Sequence, residues 1–467
     1  MGIKHPARSQ SSRKHHAFQR DLGAPALTLL TLGGIMGSGL FLASGLAIHR
    51  AGPIILPLFA VAAVAMYFEI SALAEMSIAA PTPGSFLVRT EEMWGAGWTF
   101  VTGWIFWFSS VLTMSSEVTA ASVFTRFWLP EVPLWGWSLF YSGLIIGLNF
   151  LSVRGFGTVE GVMAAVKTLA VFLFLAVAAA IAWHLVPTSQ PLPSHPWTAL
   201  GAHGWLPHGW LGAAPNLLLV LFAYAGTGVI GLAAAEAKHP AHSIARATRH
   251  TVLIIAVLYL GSIFFLLTLL PWTRYGPQVS PFVSALKATG LSDLTSVMNL
   301  VLLFAVLSTM NAALYSNVRV LYRLAKDHQA PAFLARLNRR GQPSFAIWSS
   351  ALLLALTILL SYWLPKQAYA YLVTATGFQA MFIWLMVLFT QLRYRPYLER
   401  HHPDRLRYKQ PWFPISTYAV MGLVFLSMAF SFLARAELLG VILGIGVILL
   451  VWAVWLGFRH RLVQRRS

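Results

Sequence analysis

Two glycine clusters lie inside long apolar segments of the sequence: residues 33–39 read GGIMGSG and residues 226–231 read GTGVIG. A glycine in a helix interior costs about 1 kcal/mol relative to alanine, so each cluster predicts an interruption of its helix. A helix that restarts after Ser38 would present free N–H groups and a positive dipole end to an anion. Carbonyl groups at the end of the first part of the other helix, before residues 226–231, would face a cation. Together the two ends suit a zwitterion with a carboxylate beside an ammonium group.

The same glycines have an alternative explanation in close helix packing. Small residues four positions apart, such as Gly33 and Gly37, form a common contact motif between membrane helices. Either cluster alone fits packing. Each cluster, however, is centred in the first helix of a block of five, and paired interrupted helices at corresponding positions of two halves mark a transporter's substrate site. The sequence therefore favours a substrate site at two broken helices.

The candidate functional ionisable residues within apolar segments or near their ends are Glu69, Glu75, Glu117, Lys167 and Glu236. In a membrane segment such residues are a functional hypothesis by default. Lys167 either extends its stem to the membrane surface or is a buried amine that gains and loses a proton as the protein changes state. Glu117 is either a buried hydrogen-bond anchor or part of a proton route. Glu75 and Glu236 are interpreted as ion-pair or capping partners, and Glu69 has no assigned role.

Motifs for cofactor or metal chemistry are rejected or absent. Residues 226–231 also match the glycine pattern of dinucleotide-binding sites, but no short strand precedes them and no acidic residue follows at about 20 positions. The chain has no cysteine, which excludes disulfides, thiolate metal sites and cysteine nucleophiles. The sequence also lacks H-E-x-x-H and a nucleotide-binding P-loop. We therefore expect no metal, no cofactor and no enzymatic activity.

The composition requires a lipid environment for most of the chain. Of 467 residues, 57% are hydrophobic and 10% are charged, and the mean hydropathy is +0.68, whereas soluble domains carry about 25% charged residues. These values exclude soluble enzymes and disordered chains. Twelve apolar segments have the length of membrane-spanning helices: 24–48, 54–80, 97–124, 135–151, 159–184, 214–235, 251–270, 293–324, 345–364, 370–392, 413–433 and 438–458.

These segments predict an all-α polytopic membrane protein with 12 transmembrane helices and an internal repeat. Because five is odd, a second five-helix block enters the membrane from the opposite face, which gives a 5+5 inverted repeat. Helices 1 and 6, the first of each block, are predicted to be discontinuous, and two helices are extra. The predicted parts are a basic N-terminal tail (1–23), the first repeat (24–184), an outer loop (185–213), the second repeat (214–392), a basic cytoplasmic loop (393–412), helices 11 and 12 (413–458) and a C-terminal tail (459–467).

Basic residues predict the orientation. The chain carries 33 Lys and Arg against 14 Asp and Glu. With both termini in the cytoplasm, 26 of the 33 basic residues lie on the inner side and six lie in outer loops, which is a strong positive-inside signal. We therefore expect a multi-pass protein of the inner or plasma membrane, with both termini cytoplasmic. Its basic surface would contact anionic membrane lipids and not nucleic acid.

The sequence resembles the amino acid–polyamine–organocation (APC) permeases in several motifs. They run in order over residues about 20 to 395 and include 34–41 (GIMGSGLF), 75–76 (EM), 84–86 (GSF), 103–104 (GW), 156–167, 222–240, Ser308, Asn311, 315–316 (YS), Arg319, 330–331 (AP), Trp384, Arg393 and Arg395. The resemblance implies a five-plus-five inverted-repeat core that carries amino acids by alternating access.

The resemblance also implies roles for particular residues. The substrate carboxylate would bind at the first break, on Ser38 and Gly39, and Lys167 matches a lysine that replaces sodium in proton-coupled relatives. The substrate amino group would bind carbonyls of the sixth helix, where Phe222 is the aromatic gate. The candidate substrate-binding residues are Ile35, Gly37, Ser38, Gly39, Phe222, Tyr224, Ala225, Gly226 and Thr227, and the candidate proton-coupling residues are Lys167 and Glu117.

One departure from the family pattern concerns charge. Many members have a glutamate after the glycine pair of the sixth helix, where this chain has Gly228. Gating by that glutamate cannot be carried over, and the loss of its negative charge would weaken a preference for cationic substrates.

The leading hypothesis is a secondary amino acid transporter driven by proton symport, as a monomer or homodimer. An amino acid exchanger and an amine or polyamine transporter are alternatives on the same scaffold. An intramembrane enzyme or a channel is disfavoured. All 15 histidines lie in loops, tails or span ends, and no carboxylate pair is evident, whereas an intramembrane enzyme needs acid, base or metal groups within its spans.

Overall fold

The described part of the chain is helical. The structure is a computed structural model, and it describes residues 22–81, 86–151, 156–188, 200, 204–276, 278–338, 341–363, 368–435 and 438–464. Within these ranges no β-strand occurs, and an isolated parallel bridge joins Leu22 to Ala237. The prediction of an all-α fold is confirmed. Most of the predicted N-terminal tail (1–23), part of the outer loop (185–213) and the end of the C-terminal tail (459–467) lie outside the described residues.

The helices follow one another in the order that the apolar segments predict. They are α1 (Ala24–Ile35), α2 (Ser44–Ala51), α3 (Ile55–Ala79), α4 (Phe86–Trp94), α5 (Ala96–Thr125), α6 (Leu134–Leu151), α7 (Phe156–Ala182), α8 (Gly209–Ala213), α9 (Asn216–Ala223), α10 (Gly228–Ala233), α11 (Pro240–Leu269), α12 (Pro281–Ala288), α13 (Ser292–Lys326), α14 (Ser344–Trp363), α15 (Ala368–His401), α16 (Ile415–Ser431) and α17 (Leu438–Gln464).

Seven helical segments of the described residues are long and apolar enough to cross a membrane. They are Gly39–Ala79, Glu160–Ala182, Gly209–Ala233, Pro240–Leu269, Ser292–Lys326, Ala368–His401 and Leu438–Gly457. Shorter apolar helices cover further predicted spans at Ala24–Ile35, Leu134–Phe150, Ser344–Leu359 and Ile415–Ser431. The prediction of a polytopic membrane protein is thereby confirmed, whereas the count of twelve spans and the inverted repeat remain predictions.

The first predicted span is interrupted in its middle. Helix α1 ends at Ile35, and Met36 leaves helical geometry with a ψ of 85°. The chain turns through Gly37 and Ser38 and resumes with a π-helical turn, Gly39–Ala43, which leads into α2. The predicted interruption of helix 1 is confirmed.

The sixth predicted span is interrupted in the same way. Helix α9 ends at Ala223, and α10 begins at Gly228. Between them Gly226 has a φ of +103°, which is a conformation that glycine adopts at little cost and other residues rarely adopt. The predicted interruption of helix 6 is also confirmed.

The glycines at the two breaks also allow the backbones to approach each other. A Cβ at Gly39 would lie 2.8 Å from the Ala223 Cα, and a Cβ at Gly226 would collide with the Gly34 carbonyl. The explanations by helix interruption and by close packing therefore hold together, because the two broken segments cross each other at their breaks.

The helices around the breaks form the core, and outer helices face away from it. Helix α5 packs along α13 and α15, and α11 packs against α1 and α3. Outer helices present apolar side chains more than half exposed, among them Leu139, Leu173, Leu352 and Leu449. Such apolar faces would be unfavourable in water and are suited to contact with lipid. Helices α16 and α17 pack on α15.

Two carboxylates near predicted inner span ends form the expected ion pairs. The Glu236 Oε1 lies 2.9 Å from Arg319 Nη1. The buried Glu75 Oε2 lies 3.3 Å from Arg395 Nη1 and accepts the Gln410 backbone N–H at 2.7 Å. Both contacts join segments distant in sequence and fix the packing of the helices on that side.

The break in the sixth span predicts a sensitive glycine. We expect Gly226→Ala to lower the free energy of unfolding by at least about 2 kcal/mol, because strained φ and overpacking each cost about 1–3 kcal/mol. The measurement is the unfolding midpoint of the purified protein in mixed detergent micelles.

Gly147→Ala in α6 is the matched control. Nothing lies within 4 Å of a Cβ at Gly147, and alanine favours a helix more than glycine does, so its midpoint should stay the same or rise. Equal midpoints for the two variants would contradict the close approach of Gly226 to Gly34.

Candidate functional site

A cavity of about 110 Å³ lies between the two breaks. This volume is well above the roughly 10–15 Å³ that a cavity needs to hold one water molecule, so the cavity has space for a small solute. The predicted substrate-binding residues that line it are Ile35, Gly37, Gly39, Phe222, Ala225, Gly226 and Thr227. The structure thus brings together the residues that the sequence assigned to the two breaks, apart from Ser38 and Tyr224.

The carboxylate of Glu117 caps the restart of the first span. Helix α5 places it in the break, where the Ser38 N–H donates to Oε1 at 3.0 Å and to Oε2 at 2.9 Å. The Ser38 hydroxyl donates to Oε1 at 3.0 Å. A helix start leaves N–H groups unpaired, and a buried carboxylate is costly without donors, so each group satisfies the other. A side chain at Gly37 would collide with Glu117.

This contact differs from the predicted contact at the anion site. The sequence predicted that the Ser38 N–H would face the substrate carboxylate, but in this structure it faces a carboxylate of the protein. The serine side chain is fully buried and is not among the residues that line the cavity. The carboxylate at the helix restart comes from α5, and substrate binding at Ser38 stays a prediction. Gly39, the next residue, does line the cavity.

The ammonium group of Lys167 caps the other side of the same break. Its Nζ donates to the carbonyl oxygens of Gly33 at 2.7 Å and Met36 at 3.2 Å. It also lies 3.1 Å from Thr309 Oγ1 and 3.4 Å from Ser308 Oγ. The side chain is 1% exposed, so the alternative that Lys167 extends to the membrane surface is wrong. Carbonyls at the end of α1 carry the negative end of the helix dipole, which a cation stabilises.

A second carboxylate lies behind Lys167. Ser308 Oγ accepts from Lys167 and donates to Glu160 Oε1 at 2.6 Å. Glu160 is fully buried on α7, and a Cβ at Gly33 would lie 2.7 Å from its Oε1. The hydroxyl therefore links the ammonium to the carboxylate. Glu160 precedes Lys167 by two turns of the same helix, but no local pattern identifies Ser308 of α13 as the bridge between them, so the sequence analysis did not assign Glu160 to this network.

In the sixth span, the side chains before the break divide between the cavity and the core. Phe222 lines the cavity, as a gate would require. Tyr224 does not, because its ring packs against Phe59 and Tyr259 and its hydroxyl donates to the Phe59 carbonyl at 2.9 Å. The assignment of Tyr224 to substrate binding is thus not supported by its position. Its contacts are those of an aromatic side chain packed between helices.

Sequence reasoning missed two tyrosines that join the broken segments. The Tyr259 hydroxyl lies 3.2 Å from the Ile35 carbonyl and 3.1 Å from the Ala223 carbonyl, the last residues of α1 and α9. The Tyr369 hydroxyl donates to the Ser38 carbonyl at 2.9 Å. Both rings are buried. A polar aromatic residue inside an apolar segment is the signal that points to such a role, but it does not reveal the partner.

Glu69, which had no assigned role, lies at the cavity. Its side chain is 1% exposed and lines the cavity wall from α3. The Thr227 hydroxyl forms a hydrogen bond with its carboxyl group, while Oε2 has no hydrogen-bond partner. Among the described residues, no group of three or more His, Cys, Asp or Glu side chains could hold a metal ion.

The chain resembles known transporters over nearly its whole length. Residues 26–465 match the family model described as amino acid permease. The gamma-aminobutyric acid permease of Bacillus subtilis is 32% identical over 98% of this chain and 97% of that protein. The aromatic amino acid transport protein AroP of Salmonella typhimurium is 33% identical over 82% of this chain and 84% of that protein.

A solved structure has the same fold at low sequence identity. The crystal structure of the Eremococcus coleocola manganese transporter, in complex with an aromatic bis-isothiourea substituted compound, superposes with a TM-score of 0.58. The match covers 95% of each chain at 11% identity. At this identity the likeness shows the fold alone.

The charge network around the first break predicts a coupled effect on stability. We expect Lys167→Met to lower the free energy of unfolding by about 3–5 kcal/mol, because it leaves Glu160 as an uncompensated buried charge. Adding Glu160→Gln to that variant should restore part of the loss. The measurement is the unfolding midpoint in mixed micelles for both single variants and the double variant.

Lys287→Met is the control for the loss of a lysine, since Lys287 is exposed on α12. Its midpoint should match that of the unchanged protein. Strictly additive losses for Lys167→Met and Glu160→Gln would mean that the two groups do not stabilise each other.

Proposed function

This chain belongs to the amino acid permease family, and on that premise we propose that it is a secondary transporter that moves an amino acid by alternating access, coupled to protons. The names of the two relatives specify different substrates, gamma-aminobutyric acid and aromatic amino acids. Family membership therefore supports amino acid transport, and the cavity has to select the substrate.

The substrate would lie in the cavity between the two breaks. Its carboxylate would approach the N–H groups at the restart of the first span, near Gly37 and Gly39. Its ammonium group would approach the carbonyls around Phe222 and Ala225, with the Phe222 ring closing over it. Since both breaks border one cavity of suitable size, one small zwitterion can contact both helix ends.

The position of Lys167 carries the proposal of proton coupling. The ammonium group binds the carbonyls of Gly33, near the end of α1, and of Met36, where the chain leaves helical geometry. If Lys167 loses its proton, the charge that attracts these carbonyls disappears and the end of α1 is released. Binding and release of one proton would thus favour different arrangements of the first span, which is what a coupling ion does in alternating access.

Glu117 supplies a second proton-sensitive contact at the same break. As a carboxylate it accepts three hydrogen bonds from Ser38. A proton on Glu117 weakens these bonds and makes the Ser38 N–H available to the substrate carboxylate. The same N–H would then serve the protein in one state and the substrate in another, as the resemblance to the family implies for Ser38.

The proposed location is the inner or plasma membrane, with both termini cytoplasmic and the chain acting as a monomer or homodimer. Described basic side chains near the ends of α13 and α15 belong to the side that would face the cytoplasm, such as Lys326 and Arg400. Anionic lipid headgroups would attract this side.

The transport proposal is tested by uptake into proteoliposomes. We expect counterflow of one or more of the common amino acids, and we expect an inward proton gradient to raise the initial rate of uptake. In Lys167→Ala the gradient should no longer raise that rate, because the buried proton-binding amine is gone. The comparison uses equal amounts of folded protein, verified by size-exclusion chromatography.

Lys287→Ala is the matched control and should respond to the gradient like the unchanged protein. Counterflow without any response of the unchanged protein to the gradient would identify an exchanger. An unchanged response in Lys167→Ala would remove Lys167 from the coupling mechanism.

The proposed orientation is tested with single cysteines, since the chain has none of its own. In intact cells, a membrane-impermeant thiol reagent should label Glu131→Cys, in the predicted outer loop after α5, but not Asp404→Cys, in the predicted inner loop after α15. Both residues are exposed. After the membrane is permeabilised, both variants should react. The reverse pattern in intact cells would invert the predicted topology.

A further inference from the structure

Glu69 is a buried carboxylate that the proposed mechanism leaves unused. It lies on α3, is 1% exposed and borders the cavity between the two breaks. Thr227, at the break of the sixth span, forms a hydrogen bond with its carboxyl group. Its Oε2 has no hydrogen-bond partner. A buried carboxylate oxygen without a donor is costly, so its presence at a cavity requires an explanation.

The charges around the cavity are unbalanced. Glu69 and Glu117 are the acidic residues among those that line it, and no Lys, Arg or His is in that set. Glu117 is satisfied by Ser38 and interacts electrostatically with Lys167. No ion pair among the described residues includes Glu69. Of the two acidic side chains at the cavity, Glu69 is therefore the one without a basic partner among the described residues.

The wall of the cavity next to Glu69 leaves space for a ligand. Thr227 holds the carboxyl group from the sixth span, and the next residue, Gly228, contributes no side chain. A Cβ at Gly228 would have only the Phe106 Cε2 near it, at 3.6 Å. Glu69, Thr227 and Gly228 line the same cavity, and the missing side chain at Gly228 leaves space there for a substrate side chain.

We propose that Glu69 binds a cationic group on the substrate side chain, so that the cavity prefers amino acids with a second ammonium group to neutral ones. The inference rests on the proposed amino acid transport. A neutral zwitterion balances its own charges at the two helix ends and leaves Glu69 without a partner. A side-chain ammonium supplies both the missing hydrogen bond to Oε2 and the missing positive charge. On this proposal a carboxyl group from α3 would take over the part that the family glutamate, replaced here by Gly228, plays for cationic substrates.

The test compares two ligands that differ in the side-chain ammonium. L-lysine and L-norleucine have side chains of similar length, and only lysine carries the second positive charge. We expect L-lysine to compete in counterflow at a lower concentration than L-norleucine. In Glu69→Gln the ratio of the two half-maximal concentrations should fall by at least about tenfold, because removing one partner of a buried charge pair costs several kcal/mol.

Two further variants keep the result interpretable. Glu69→Asp retains the charge and should keep part of the preference for lysine, which separates charge from side-chain shape. Glu131→Gln removes an exposed carboxylate from the loop after α5 and should leave the ratio unchanged. All variants are compared at equal amounts of folded protein and at several pH values.

The outcomes separate this inference from the proposed function. If the unchanged protein exchanges no amino acid at all, amino acid transport itself is wrong. If it exchanges amino acids but Glu69→Gln leaves the ratio of lysine to norleucine unchanged, only the role of Glu69 is wrong. A variant that alters the pH profile of uptake without altering that ratio would make Glu69 a proton carrier and would also overturn the inference.

Discussion

The structure depends on the groups that form hydrogen bonds with the backbone where a helix is broken inside the membrane. A break leaves carbonyl groups on one side and N–H groups on the other, and lipid offers neither of them a partner. Here an ammonium group from α7 meets the carbonyls of Gly33 and Met36, and a carboxylate from α5 meets the Ser38 N–H. Each buried charge would be unfavourable alone. The break and the two charges are stable only together.

This arrangement joins stability to the proposed transport cycle. The groups that hold the break, Lys167 and Glu117, are ionisable, so a proton on either one alters the contact that keeps the first span in its present shape. Tyr259 ties the Ile35 and Ala223 carbonyls together, so a movement of the first span reaches the sixth without a long chain of contacts. The cavity lies at the point where both movements would meet. Such a site can link proton binding to substrate binding because one set of contacts serves both.

The amino acid sequence predicted those features that follow from local chemistry. The apolar segments predicted the helices, since backbone groups in lipid must be paired within the segment. The glycine clusters predicted both interruptions, because no ordinary helix places so many glycines in its interior. The isolated charges of Lys167 and Glu117 were predicted to matter because a membrane segment rarely retains a charge without a partner. Seven of the nine predicted substrate-binding residues line the cavity, as the position of the breaks implies.

The sequence by itself determined which segments are helices, where two of them break and which buried residues are charged, because each of these depends on a residue and its near neighbours. The tertiary structure decided which groups meet. It placed Glu117 on the Ser38 N–H across 79 positions and Lys167 on the Gly33 carbonyl across 134. It also turned Tyr224 into the core and Glu69 toward the cavity. These choices depend on how helices distant in sequence pack, and no local pattern specifies the partner of a buried charge.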